Sequence, residues 1–369
     1  MNAILAALRG ADLINDLDRA FGAWIAERSN ESCGLAAAFA SAEVGKGHVC
    51  LDLDTAVELL RTRDIEPPRA WAKTLGAGET VAVPGERAPL VLDGNRLYLH
   101  RYWIYETRIA QALRDLATPV KNVDAATLQK ALREQFRDAG DGRLDRQALA
   151  AVIGATRRLA ILSGGPGTGK TYTIFKLIAL ALALTPELRI ALAAPTGKAA
   201  SRLNEVIGNN VPTELREHLP EEPRTLHRLL GYNAARQTIR HDAANPLPFD
   251  LVVVDEASMV DIGLMARLLA ALKPDARLVL VGDRDQLASV EAGAVLGDIC
   301  SVADGFDADE AERLEMLLGA AVPRAKGAVS TVSGSIALLK RNYRFGEGPI
   351  GHFAKAVIAG DTAAALRLL

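Results

Sequence analysis

The segment Gly164-Gly165-Pro166-Gly167-Thr168-Gly169-Lys170-Thr171 carries the densest chemistry in the chain. Glycines at this spacing let backbone N–H groups curl around phosphate oxygens, because no Cβ stands in the way. Lysine followed by threonine completes the pattern GxxxxGK[ST]. Lys170 would reach the β- and γ-phosphates of a nucleotide, and the Thr171 hydroxyl would ligate Mg²⁺. The apolar run Leu159–Ser163 precedes the loop and a long apolar helical pattern follows it, so the positive end of a helix would add to the cradle. A second stretch, Leu251-Val252-Val253-Val254-Asp255-Glu256, is an apolar strand ending in two carboxylates. Past the C-terminal edge of a parallel sheet such a pair lies beside the phosphate loop. Asp255 suits the Mg²⁺ contact and Glu256 the base that orients an attacking water. A third strand ends in Gly282-Asp283-Arg284-Asp285-Gln286. The Gln286 amide can bond both a γ-phosphate oxygen and that water, although taken alone it reads as an ordinary turn residue.

These residues need a frame. Arg158–Ser163, Leu188–Ala194, Leu251–Val254 and Arg277–Val281 are short, nearly continuous apolar runs, each followed by a helical segment. That alternation predicts an α/β fold, a parallel sheet with helices on both faces. Upstream the composition differs, with Trp24, Trp71 and Trp103 all in the first 103 residues. A helix is expected over Leu5–Ala26, β character over Gly47–Leu51, and a hairpin over Leu90–Leu99 around Asp93-Gly94-Asn95. A helix over Tyr102–Leu116 and a linker or helix break from Pro119 to Asp124 follow. The opening third is therefore a separate, mostly helical domain. Residues 301–335, rich in Ala, Gly, Ser and Asp, read as a mobile insertion, and Asp361–Leu369 as a helix begun by an N-cap.

Composition narrows the function. Hydrophobic residues make up 49% and charged residues 24% of the 369, which suits a soluble core-forming chain and excludes a disordered one. The formal net charge of −2 excludes a whole-chain basic footprint, so any nucleic-acid binding must rest on a few placed residues. Cys33, Cys50 and Cys300 are too few and too scattered for a disulfide framework, a zinc pair or an iron–sulfur site, and the histidines form no metal-spaced pair. A reducing cytoplasm is expected. Asp12, Asp16 and Asp18 stand where a secretory signal needs an apolar core, and the most apolar stretch, Leu177–Pro186, is too short to span a membrane. No second acidic cluster of the kind a nuclease needs is present.

The order GGPGTGKT (164–171), APTGKAASRL (194–203), TLHRLLG (225–231), VVVDEASMV (252–260), VGDRDQLASVEAG (281–293) and LLKRNYRF (338–345) resembles the successive motifs of superfamily 1 DNA helicases over roughly residues 145–369. Within that superfamily, Leu97–Glu106 and Gly47–Leu51 resemble stretches of the N-terminal domain of the RecD family, the alpha subunits of exodeoxyribonuclease V. The resemblance implies an ATP- and Mg²⁺-dependent motor moving 5′→3′ on single-stranded DNA, with RecB and RecC as partners. It implies RecA-like lobes: a partner (RecC)-binding domain at 1–118, a first lobe at 119–335 and the start of a second lobe at 336–369. Residues 232–249 would be a small inserted hairpin, or equally a surface loop. Gln147 looks like the family's adenine-reading glutamine. Thr196, Lys198, His227 and Arg228 would touch the DNA backbone, and Arg344 would reach the γ-phosphate from the second lobe. The family's later motifs are not found after Arg344, so a truncated chain is expected. A nucleotide- and partner-binding module without motor activity is the alternative, and a standalone RecD-like helicase would need a helix-hairpin-helix region upstream.

Overall fold

The computed structural model describes residues 2–76, 78–136, 144–286, 291–301, 305–327, 329–343 and 348–369. Two compact units emerge, one chiefly of residues 1–110, the other chiefly of residues 111–260 and 295–369.

The helix expected over Leu5–Ala26 is two helices, α1 (Asn2–Gly10) and α2 (Asp16–Arg28). The break has a local cause. The Asp18 N–H donates to the Asn15 side chain at 3.0 Å and the Asn15 N–H donates to the Asp18 carboxylate at 2.9 Å, a reciprocal cap that starts a new helix. Asp12, at φ +54°, turns the chain just before it. Then come α3 (Glu31–Gly45), β1 (Cys50–Asp52), α4 (Leu53–Arg61), α5 (Trp71–Gly76), β2 (Val81–Ala82), β3 (Leu90–Asp93), β4 (Arg96–Leu99) and α6 (His100–Leu116). The strands form a small sheet in the order β1-β4-β3-β2. The hairpin forms where expected, with Asp93 opposite Arg96 across a turn holding Gly94 at φ +59°. Its apolar side joins Phe39, Leu60, Trp71, Leu75, Leu90 and Leu97 in one core.

The second unit runs α7 (Ala125–Gln135), α8 (Arg146–Thr156), β5 (Leu159–Gly164), α9 (Lys170–Leu184), β6 (Ile190–Ala194), α10 (Gly197–Asn210), α11 (Thr213–Arg216), β7 (Arg224–Thr225), α12 (Leu226–Leu229), β8 (Leu251–Val254), α13 (Ile262–Ala270), β9 (Arg277–Gly282), α14 (Val295–Cys300), α15 (Ala308–Leu318), β10 (Ile336–Leu339), α16 (Pro349–Ile358) and α17 (Thr362–Leu368). Its six strands are all parallel, in the order β10-β5-β9-β8-β6-β7. Strands β5, β8 and β9 are buried from end to end, as their unbroken apolar runs require. Helices α8 and α9 pack at close range. A Cβ on Gly154 would lie 1.8 Å from Leu177 Cδ1, so a bare backbone is what lets the two helices approach.

Three expectations are corrected and one holds. Strand β10 does not open a second lobe: Ile336 to Leu339 pair with Ile161 to Gly164, adding a sixth strand beside the phosphate-loop strand. A short apolar run cannot declare which sheet it joins, and pairing with β5 buries it on both sides. Within 301–335, residues 308–318 form α15, capped by Asp307 and seated in the main core through Ala311 and Leu314. Its Glu310 meets Arg157 at 3.2 Å, both side chains largely buried. The helix break expected from Pro119 to Asp124 is present, between the end of α6 at Leu116 and the start of α7 at Ala125, and it is tied down, with Val120 N–H donating to Thr156 O at 2.8 Å and Arg158 N–H to Thr118 O at 2.9 Å. Finally, 232–249 contains no strand, only the antiparallel bridge between Asn233 and Thr238 and a turn held by the Asp242 carboxylate. It is a surface loop.

Candidate nucleotide-binding site

Strand β5 delivers the chain to the loop, and α9 leads it away. Gly169 ends the loop at φ +81°, and a Cβ there would lie 2.2 Å from Gln147 Nε2. Conformation and space therefore both demand glycine. The Thr168 hydroxyl donates to Gly165 O at 2.8 Å, while Lys170 Nζ folds back to donate to Gly164 O at 2.7 Å and Gly165 O at 3.3 Å. Gln147 is buried and donates from Nε2 to Thr168 O at 3.1 Å. The structure places it behind the loop as a support. Asn342 Nδ2 donates to Pro166 O and the Tyr343 N–H to Gly167 O, both at 2.8 Å, so the exit of β10 also fastens the loop.

Strand β8 carries the acids. Asp255 closes the ladder by donating its N–H to Ala193 O at 2.9 Å, and Glu256 then adopts φ +52°, the left-handed region. For a glutamate that conformation costs on the order of 1–3 kcal/mol, and it turns the chain sharply at the strand tip. The Glu256 N–H donates to Asp255 Oδ1 at 2.9 Å. Burial pushes the Asp255 carboxyl above its ordinary value and the Glu256 charge adds to the rise, while the Glu256 N–H, Lys170 and Arg202 oppose it. Strand β9 supplies the third wall. The Arg284 N–H is held by Ser163 Oγ at 3.1 Å, the Asp285 N–H by Asp283 Oδ1 at 3.1 Å, and the Gln286 N–H by Asp283 O at 3.2 Å.

The three tips surround one cavity of about 820 Å³, within the usual range for a small-molecule site. Residues 165–171 of the loop, Asp255, Glu256 and Gln286 all line it. Thr196 and Lys198 line it as well, with the Thr196 hydroxyl capping α10 through the Ala199 N–H at 3.2 Å. His227 and Arg228 lie elsewhere, exposed on α12, with His227 edge-on to Tyr232 at 5.5 Å between ring centroids. Arg344 lies outside the described residues. Sequence reasoning missed Arg202, Tyr172 and Tyr343 as lining residues. Arg202 had a signal, since it follows Lys198 by one helical turn. Thr171 and Asp255 offer a hydroxyl and a carboxylate, the hard oxygen donors Mg²⁺ prefers, so the donor set fits that ion.

The raised Asp255 carboxyl gives a signed expectation. Its value in the fold lies above that in the unfolded chain, so its ionised form opposes folding. The stability its protonated form contributes is full below the ordinary carboxylate range and is lost as pH rises through the raised value. In chelator-treated protein, Asp255→Asn should melt higher than the parent at neutral pH, and the two melting curves should converge in acid.

Parallel strands, a glycine-rich phosphate loop at a helix start and an acidic strand tip around one cavity define a P-loop NTPase lobe. Residues 147–292 match the AAA domain family, and residues 10–98 match the RecBCD enzyme subunit RecD N-terminal domain family. The RecBCD enzyme subunit RecD of Mycolicibacterium smegmatis is 40% identical over 357 residues, 94% of this chain and 57% of that protein. The Haemophilus influenzae subunit of the same name is 41% identical over 224 residues, 58% of this chain and 35% of that one. The ATP-dependent RecD2 DNA helicase of Deinococcus radiodurans is 38% identical over 258 residues, 69% and 31% of the two chains. The chain thus combines a match to the RecD N-terminal domain family with a similarity to proteins named RecD over 94% of its length, and it spans about half the length of the curated relatives it matches.

Proposed function

We propose that this chain is an ATP-dependent DNA motor subunit, translocating 5′→3′ on single-stranded DNA and working with RecB- and RecC-type partners in the cytoplasm during double-strand break repair. The observation that carries the reading is the convergence of Lys170, Asp255, Glu256 and Gln286 on one cavity in a chain similar to proteins named RecD. Among the described residues no helix is long and apolar enough to cross a membrane.

In this reading the loop amides bind the nucleotide phosphates, Lys170 swings from the loop carbonyls to the β- and γ-phosphates, and Thr171 and Asp255 would hold Mg²⁺, which would supply charge neutralisation there. Glu256 orients the attacking water and accepts its proton. Gln286 bonds the γ-phosphate and that water, Gln147 braces the loop and faces the adenine side, and Arg344 completes the charge cage. Thr196, Lys198, His227 and Arg228 contact DNA phosphates, which suits sequence-independent movement.

The purified chain is expected to bind Mg²⁺–ATP, to hydrolyse it faster when single-stranded DNA is added, and to co-purify with RecB and RecC when the three are expressed together. Titration calorimetry finding no nucleotide binding would remove the reading at its base.

A further inference from the structure

Gln286 is the least constrained member of the cavity by sequence, yet its side chain is not left to chance. Ser258, largely buried in the 3₁₀ turn Ala257–Met259, donates its hydroxyl to Gln286 Oε1 at 2.9 Å. That turn starts at Glu256, so the hydrogen bond joins the tip of β8 to the tip of β9.

A glutamine amide can present either end to a ligand. If Oε1 faced a phosphate, two acceptors would meet and repel. With Oε1 engaged by the Ser258 hydroxyl, Nε2 is the end left to donate toward the cavity. We infer that Ser258 is a positioning residue, setting the Gln286 amide so that Nε2 donates to the terminal phosphate and the site distinguishes a nucleoside triphosphate from a diphosphate. The inference rests on the nucleotide reading above and deepens it. Ser258 touches no ligand itself and acts only through Gln286.

The test uses the full chain with Mg²⁺, measuring affinity for ATPγS and for ADP by calorimetry. Ser258→Ala should weaken ATPγS binding by roughly three- to tenfold, the worth of one neutral hydrogen bond, and leave ADP binding unchanged. Gln286→Ala should do the same, and the double variant should be no worse than Gln286→Ala alone. Ser258→Thr, which keeps the hydroxyl, should retain the parental preference. Parental ATPγS affinity in Ser258→Ala, equal losses for both nucleotides, or multiplying losses in the double variant would each overturn the assignment. A parent that binds neither nucleotide is a different result, since that removes the nucleotide reading and the positioning role together.

Discussion

Replacing Lys170 with alanine should lower ATP turnover by about 10²–10³-fold while leaving the melting temperature of the nucleotide-free protein at the parental value. The two halves of this expectation come from one geometry. The lysine head is only half-buried and bonds the carbonyls of its own loop, Gly164 and Gly165, so no core contact depends on it. Its stem starts at the first residue of α9, where the positive helix end and the loop amides already gather around the phosphates. Lys170 adds a full positive charge from the loop itself, at the end where negative charge moves during phosphoryl transfer, and removing it leaves Lys198 and Arg202, on α10, as the remaining basic side chains among the described residues that line the cavity. Single-turnover hydrolysis alongside thermal melts measures both halves. A variant that turned over ATP at the parental rate would overturn the role, and one that melted much lower would mean the lysine is structural.

The second large effect concerns stability. Gly154→Val should destabilise the fold by about 1–3 kcal/mol, lowering the melting temperature by several degrees. The first added carbon would lie 1.8 Å from Cδ1 and 2.4 Å from Cγ of Leu177. Leu177 is fully buried, so its side chain has nowhere to swing. Glycine within a helix costs up to about 1 kcal/mol relative to alanine, so gaining a side chain would help if space existed. The clash outweighs that gain. Gly154→Ala combined with Leu177→Ala should cost less than the two single changes summed, because each makes room for the other. Calorimetric melts of the four proteins decide it, and strict additivity would mean that α8 and α9 are not in direct apposition there.

Most of the motor-lobe architecture was legible because its signals are local. The phosphate loop is eight consecutive residues, and the strand runs before Asp255 and Gly282 are continuous and apolar, so the order of strand, loop and acid follows from short windows. What was illegible is non-local. Nothing in Ile336–Leu339 says that it pairs with β5, because any short apolar run fits either lobe of such a motor. The left-handed conformation of Glu256 breaks the glycine rule that a reader would apply, since here the turn geometry overrides residue preference. The Ser258–Gln286 bond spans 28 positions and needs two strand tips to be neighbours first. Gln147 was found as a family position, but its hydrogen bond to Thr168 O depends on how α8 lies under the loop. In α15, weak periodicity concealed a helix whose place is fixed by Asp307 at its start and by Arg157 from another part of the chain.

Strand β10 also has a consequence for timing. Its partner residues, Ile161 and Ile336, are 175 positions apart, and the loop carbonyls of Pro166 and Gly167 are held by Asn342 and Tyr343 just beyond it. At ribosomal rates of roughly 5–20 residues per second, the loop would leave the ribosome on the order of 10–35 s before the strand that fastens it. Until then β5 has an open edge, the kind of surface that strands of other chains can join. The nucleotide cradle is thus among the first parts of this lobe to be synthesised and among the last to be finished. During that interval the open edge of β5 is a place where the growing chain can pair wrongly.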